Sequence, residues 1–370
     1  MSININMVNV GDGDAIILTL KRKIKTRKAV ILIDGGEKGN AKKVLKCLKK
    51  TLLMEKKDAP DLTVCTHYDQ DHIGGIIKIV EKYKCSIKQI WIHRPTRAYK
   101  NIMEFLEKAR NPSCLYERLV ASNLIKKFND NINLRNEVEL VIESFNQLKT
   151  LDELIKKYKI KTKEPFGFPE NNYLDGFSEF KVIGPTVDFY NRITNVTNGN
   201  KIERLLEEKS LFENSSSSNF RELFTEVLYK KLPIPICDRL PNESNQSITS
   251  TNEVSIIVLY TDEDGRKFLF PGDAGIESFI SIPNHRNILR DLYYMTVPHH
   301  GSLNNISKEL IEIMRPRIAF ISAKGNRHHP HKYVVGCLKS HGTKIYETKG
   351  CDVIKFKNGK IKMENWPASF

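Results

Sequence analysis

The chain has 370 residues, 40% of them hydrophobic, and carries 59 Lys and Arg against 44 Asp and Glu for a formal net charge of +15. That length accommodates one large domain with insertions or two ordinary ones. A mean hydropathy of −0.40, no apolar run of about 18 residues and a start, MSININMVNVGDGD, without a secretory layout argue against a membrane partner or an exported chain.

The basic balance and a pI near 9.3 favour an anionic partner, most simply nucleic acid, over generic lysine-rich surface decoration. Seven scattered cysteines with no CxxC pair predict reduced thiols in a cytoplasmic protein, most of them small buried hydrophobes.

In chain order, INMVNV, AIILTL, AVILID, LTVCT and IKQIWI read as short strands bounded by Gly, Asp or charge. Between AIILTL and AVILID lies KRKIKTRK, residues 21–28, with six basic residues in eight. It reads as a hairpin tip, so Lys21, Arg22, Lys23, Lys25, Arg27 and Lys28 are either phosphate contacts or ordinary solvated charge. NAKKVLKCLKKTLL and IGGIIKIVEKYK carry helical spacing. Strand–helix alternation resumes late, in EFKVIGP, VSIIVLY, KFLFPGD, LYYMTVP, IAFISA, TKIYETKG and CDVIKFK, which predicts a layered α/β fold. Residues 1–370 are expected to form one domain with two interruptions. One, about 96–174, is helical; the other, about 190–250, is Asn- and Ser-rich and partly flexible. Either interruption offers a surface for a protein partner.

The chemistry concentrates in THYDQDHIGG, residues 66–75, which follows a buried strand at once. His67, Asp69, Asp71 and His72 are the imidazole and carboxylate types that hold divalent metals, and Gly74 and Gly75 are expected to let the backbone turn into the next helix. Matching sets lie downstream: Asp273 in FLFPGDAG, His299 and His300 in TVPHHGS, and His328, His329 and His331 in NRHHPH. Each follows a hydrophobic strand, so all can open onto one sheet edge. Seven of the ten histidines fall in these motifs, leaving only His93, His285 and His341. Adjacent residues leaving a strand point in opposite directions, so only one of His299 and His300 is expected to face a metal directly. The other is a candidate proton donor to a leaving oxygen. Ser302 contacts substrate or, more simply, caps the helix starting near NNISKEL. Asp34 supports the site or forms a turn, and Asp12 and Asp14 are added carboxylates or turn residues.

Together VGDGD (10–14), LIDGG (32–36), THYDQDHIGG (66–75), PGD (271–273), PHHGS (298–302) and HPH (329–331) resemble a metallo-β-lactamase-fold hydrolase. The order and spacing are similar to those of the ComEC-like branch, named for the hydrolase domain of a DNA-uptake protein, from residue 4 to about residue 357 outside the two interruptions. The resemblance implies an αββα sandwich with two divalent metal ions at one sheet edge. His67 and Asp69 would bind the first ion, Asp71 and His72 the second; Asp273 would bridge them and His329 would complete the second site. Nothing between His93 and Asp273 is a histidine, so the first ion needs His299, His300 or water. This oxygen-rich set favours Mn²⁺ for turnover, with Zn²⁺ also able to bind. The expected activity is hydrolysis by a two-metal-activated hydroxide, with Asp71, His299 and His300 in catalytic roles. A stand-alone phosphodiesterase or nuclease acting on DNA is the leading reading. A small-molecule hydrolase of a lactone, phosphoester or cyclic nucleotide and a metal-binding interaction module are the rivals.

Overall fold

The computed structural model describes residues 2–22, 27–94, 132–168, 172–195, 235–242, 248, 250–325 and 329–366, and the side chains of 132–143, 145 and 250 lie outside that description. Two sheets stack face to face. The first contains β1 (Ser2–Val8), β2 (Ile16–Lys21), β3 (Lys28–Ile33), β4 (Leu62–Cys65), β5 (Gln89–Ile92) and β6 (Lys161–Lys163). The second contains β7 (Tyr173–Leu174), β8 (Phe177–Gly184), β9 (Ile257–Thr261), β10 (Lys267–Phe270), β11 (Tyr294–Thr296), β12 (Ile318–Ile321) and β13 (Lys344–Glu347); β14 (Val353–Lys357) and β15 (Lys360–Glu364) return to the first. The spatial orders are β15-β14-β1-β2-β3-β4-β5-β6 and β13-β12-β11-β10-β9-β8-β7.

Strand alternation builds the layers. Ile3, Ile5 and Met7 of β1, with Ile16, Leu18 and Leu20 of β2, face inward onto Phe180, Tyr260, Phe268, Phe270 and Phe320 of the second sheet. The residues between them on β2 and β3, Ile17, Val30 and Leu32, face outward beneath helices α1 (Ala41–Glu55), α2 (Gln70–Tyr83) and α3 (Ile132–Tyr158) through Val44, Leu48, Ile76, Val80, Leu148 and Leu151. Across the molecule, Leu259, Leu269, Met295 and Ala319 pack under a third apolar layer. Its helices are α6 (Ile276–Ile280), α8 (Lys308–Met314) and α9 (Lys332–Ser340), with α4 (Val187–Asn195), α5 (Ser250–Glu253) and α7 (His285–Ile288) completing the helices among the described residues. This is the expected αββα sandwich, consistent with a metallo-β-lactamase fold.

The first interruption differs from the expectation in its described parts, 132–168 and 172–174. α3 lies in the outer helical layer, and β6 and β7 extend the two sheets. These residues belong to the sandwich; their short, polar strands (KTK and YL) carry no hydrophobic period that a sequence reading could use. Residues 95–131, 196–234, 243–247 and 249 lie outside the description.

The cysteine expectation also needs correcting. Cys237 and Cys337 form a disulfide that ties the Ile236–Arg239 turn to α9. Their sequence separation of 100 hides a Cα–Cα distance of 4.8 Å, so pairing could not be read from spacing. A disulfide removes the expected sign of a reducing compartment. Cys47, Cys65 and Cys351 are buried free thiols, as expected for small hydrophobes.

Candidate metal centre

Parallel strands deliver the chemistry to one edge. β3 and β4 run parallel in the first sheet, and β10, β11 and β12 run parallel in the second. Their C-terminal ends release Asp34, His67, Asp273, His299–His300 and the segment that leads to His329, and ligands commonly bind at such ends. β2 runs the other way, which places Asp14, just before it, at the same edge. The sheets are stitched there by the Ile256 N–H donating to the Thr66 carbonyl at 2.9 Å.

Two glycines make this convergence possible. A Cβ on Gly272, which sits at φ +57°, would lie 2.8 Å from the Thr66 side chain, so glycine lets the Asp273 turn approach the His67 turn. Gly75 presses on the Gly35 backbone and donates to the Gly36 carbonyl at 2.7 Å. The paired glycines of LIDGG and HIGG are therefore contact surfaces for each other. Gly74 and Gly75 lie inside α2, which begins at Gln70, so the expected tight turn at these residues is not what the fold uses them for.

Asp34 organises the first half of the site. Fully buried and at φ +54°, it accepts from the Thr66 N–H at 2.8 Å, the Thr66 hydroxyl at 2.6 Å and His72 Nδ1 at 2.9 Å. Because the Thr66 hydroxyl proton goes to Asp34, its oxygen accepts from His67 Nδ1 at 3.1 Å. Both rings thus carry their proton on Nδ1 and turn Nε2 inward. Ser255, unremarked in the sequence, adds a second contact: its hydroxyl lies 3.3 Å from His67 Nδ1 and accepts from the Asp273 N–H at 3.3 Å.

Asp273 is the hub. Its Oδ1 faces His72 Nε2 at 3.3 Å, while Oδ2 faces His67 Nε2 at 3.8 Å, His299 Nε2 at 3.7 Å and His300 Nε2 at 3.8 Å. Asp71 Oδ2 lies 3.5 Å from His300 Nε2 and 3.8 Å from His72 Nε2, and Asp69 Oδ2 lies 4.0 Å from His67 Nε2. The His329 ring centroid is 5.2 Å from that of His299. His299 and His300 therefore both face the site. The strand-alternation argument fails because Pro298–Gly301 is a left-handed turn: His299, His300 and Gly301 have φ of 46°, 56° and 83°. Such φ costs on the order of 1 kcal/mol or more for each non-glycine residue, a strain characteristic of functional sites.

The remaining sequence candidates separate. Asp14 is buried, its Oδ1 3.9 Å from His300 Nδ1, whereas Asp12 accepts from the Lys324 N–H at 3.1 Å and serves its loop. His331 caps α9 by accepting from the Tyr333 N–H at 3.3 Å. Ser302 caps the short turn Leu303–Asn305, and the helix at NNISKEL is capped by Ser307 instead. His328 lies outside the described residues.

In the basic hairpin, Lys23 and Lys25 are also outside the description. Lys21 and Lys28 pair with buried Glu55 at 2.6 and 3.4 Å, and Arg22 grips Glu179 at 2.6 and 2.8 Å. The Arg27 guanidinium lies beside Gly176. This tip sits at the opposite end of β3 from Asp34, roughly 17 Å of strand away. Any phosphate contact made by this tip would therefore fall well away from the metal centre.

The electrostatics fit cations. Burial opposes protonation of His72, but Asp273, Asp71 and Asp34 outweigh it and hold its pKa well above the ordinary imidazole range. Burial likewise opposes charge on Asp273, yet His72, His299 and His300 pull its pKa well below the usual carboxylate range. Burial and the neighbouring His300 push His329 down to about 4, leaving a neutral ring. Among the described residues, His67 Nε2, His72 Nε2, Asp273 Oδ1 and both His300 nitrogens are buried without a hydrogen-bond partner. Unpartnered imidazole nitrogens and a carboxylate oxygen converging in one buried place are what a divalent cation would satisfy. His67–His72–Asp273 and Asp71–His72–His300 each place three ligand atoms within 4.8 Å of one another, as do Asp14, Asp34 and His72. Cys237, Cys337 and His341 form a further group of ligand types, but both sulfurs there are joined in the disulfide.

Comparison with known proteins agrees with this geometry. Residues 23–124 match the metallo-beta-lactamase superfamily, a stretch that holds Asp34, His67, Asp69, Asp71 and His72. The chain is also similar to ComE operon protein 3 of Bacillus subtilis (strain 168), with 33% identity over 106 residues. That alignment spans 28% of this chain and 13% of the relative. No helix among the described residues is long and apolar enough to cross a membrane. Residues 23–124 are thus similar to a metallo-beta-lactamase superfamily domain, and the imidazoles and carboxylates gather at one edge of the sandwich.

Proposed function

We propose that this chain is a metal-dependent phosphodiesterase acting on nucleic acid, with DNA as the first substrate to test. The observation that carries this reading is Asp273, whose two oxygens face four imidazoles delivered by two strand ends, β4 and β11. His67, Asp69 and His299 would hold one divalent ion and Asp71, His72 and His329 the other, with Asp273 between them. Bound ions would supply Lewis-acid activation of water and neutralise charge developing at phosphorus. Asp34 and Thr66 keep the rings of His67 and His72 oriented. Without bound ions, burial would lower the pKa of His300, but Asp273, Asp71 and Asp14 raise it to about 9; its Nε2 lies 3.5 Å from Asp71 Oδ2, and it is the candidate to hand a proton to a leaving oxygen.

With His299 aimed inward, the first ion no longer wants for an imidazole, which removes one premise of the expected Mn²⁺ preference. A mixed nitrogen and oxygen set suits Zn²⁺ as well as Mn²⁺. Support for nucleic acid comes from the +15 charge and from partial similarity to a com-operon protein. At the metal-centre edge, Lys324 follows β12 and is half exposed, and Lys349 follows β13 and lies against Gly325. We read these two, rather than the distal hairpin, as the side chains that would meet phosphates at that edge. The test is metal-stripped protein reloaded with Mn²⁺, Mg²⁺ or Zn²⁺ and incubated with labelled linear, circular and single-stranded DNA. Metal-dependent cleavage supports the reading. Turnover of only a small phosphoester or lactone would move the substrate assignment, and no turnover with any ion would defeat it.

A further inference from the structure

The structure assigns a role to Asn305: it fixes the tautomer of His299 so that Nε2 offers its lone pair to the metal centre. Asn305 is fully buried at the end of the turn Leu303–Asn305. Its Nδ2 donates to the Asp273 carbonyl at 2.8 Å and to the Ala274 carbonyl at 3.4 Å. Carbonyl oxygens only accept, so the amide cannot be reversed without setting its own oxygen against both. Oδ1 must therefore face His299 Nδ1, 3.0 Å away. An amide oxygen also only accepts, so His299 Nδ1 carries the hydrogen. In the neutral ring that leaves Nε2 unprotonated, 3.7 Å from Asp273 Oδ2.

The same amide thus binds the backbone of the hub residue and the ring of an imidazole from a different strand end. Asp34 does the corresponding work for His72. Asn305 is a positioning residue: it touches no reacting atom and acts through His299 and Asp273. The left-handed backbone of His299 (φ 46°) points the ring inward, and Asn305 decides which nitrogen the ring presents. Partners of this kind typically contribute about 10–100-fold to metal affinity.

This inference rests on the cation site proposed above, and its first readout needs neither metal nor substrate. Long-range ¹H–¹⁵N correlation spectra of ¹⁵N-histidine-labelled, metal-free protein report the tautomer of His299 directly. The wild type is expected to show Nδ1–H with Nε2 bare; a proton on Nε2 of the neutral ring overturns the proposal without any variant. Asn305→Ala, which removes the acceptor facing His299 Nδ1, should lose this tautomer preference. Chelator competition should then show one of two cation sites weakened by about 10–100-fold in Asn305→Ala. Unchanged affinity, or an unchanged tautomer, overturns the role. A wild type that shows the Nδ1–H tautomer but binds no cation would instead defeat the metal-centre reading, so the two failures are distinguishable.

Discussion

The two ends of the β2–β3 ribbon both bury charge, and they do so in opposite ways. At the hairpin end, Glu55 is closed by Lys21 and Lys28, and Arg22 by Glu179. Burial alone would raise the pKa of Glu55, but the two lysines more than offset this and hold it below the usual value. At the other end, Asp14, Asp34, Asp71 and Asp273 surround imidazoles whose inward nitrogens lack partners. Charges that close on one another hold a fold together; charges that converge and leave lone pairs unused are arranged for a ligand. Sequence density of charge did not separate the two cases, because the denser cluster is the structural one.

The largest expected effect follows from that contrast. Asp273→Ala and Asp71→Ala should lower hydrolysis by roughly 100-fold or more, since each removes a carboxylate that would hold a cation. Circular dichroism should stay near wild type, because the sandwich core does not include either side chain. Wild-type turnover by either variant would show that the convergent end is not the reacting end.

Asp34→Ala sharpens the comparison within the site. It frees His72 Nδ1 and the Thr66 hydroxyl together, so cation affinity measured by chelator competition should fall about 10–100-fold. A variant with unchanged affinity would make Asp34 a turn residue only.

Lysine substitutions at the two ends should separate in salt titrations of DNA binding. Lys324→Gln with Lys349→Gln should flatten the slope of log K against log salt by about 1–2. Lys21→Gln with Arg22→Gln should leave that slope unchanged while lowering stability in urea, because it leaves buried Glu55 with Lys28 alone. The reverse pattern would return phosphate recognition to the hairpin.

A last effect, on stability alone, concerns a histidine outside both ends. His93 is buried, donates to the Pro165 carbonyl at 2.6 Å and stacks on Phe166. Burial lowers its pKa from 6.5 to about 4. Between those values the unfolded chain binds a proton that the folded chain refuses, so stability is full above about 6.5 and declines as pH falls toward 4. At pH 5 the loss should be about 2 kcal/mol, and His93→Gln should remove that component. An identical pH dependence in the variant would place the acid sensitivity elsewhere.

Much of this architecture was legible beforehand. Hydrophobic runs such as AIILTL and VSIIVLY alternate with amphipathic helices strongly enough to specify layers, and the histidine motifs each follow such a run. What stayed hidden depended on three-dimensional proximity. The left-handed turn at His299–His300 reverses an inference drawn from strand geometry, and only φ values reveal it. Ser255 and Asn305 are ordinary polar residues whose roles arise from the neighbours that folding brings. Asp12 and Asp14 are one residue apart and chemically alike; their separate fates follow from the turn between them. The Cys237–Cys337 bond and the short strands β6 and β7 carry no local signal.

The most direct test of the central claim is the number of divalent cations held by the purified chain, measured by equilibrium dialysis with elemental analysis at near-neutral pH. Two per chain in the wild type, with at least one lost in Asp273→Ala, is the result the convergent carboxylates and imidazoles predict. No bound cation in the wild type, or the same number in the variant, would contradict it.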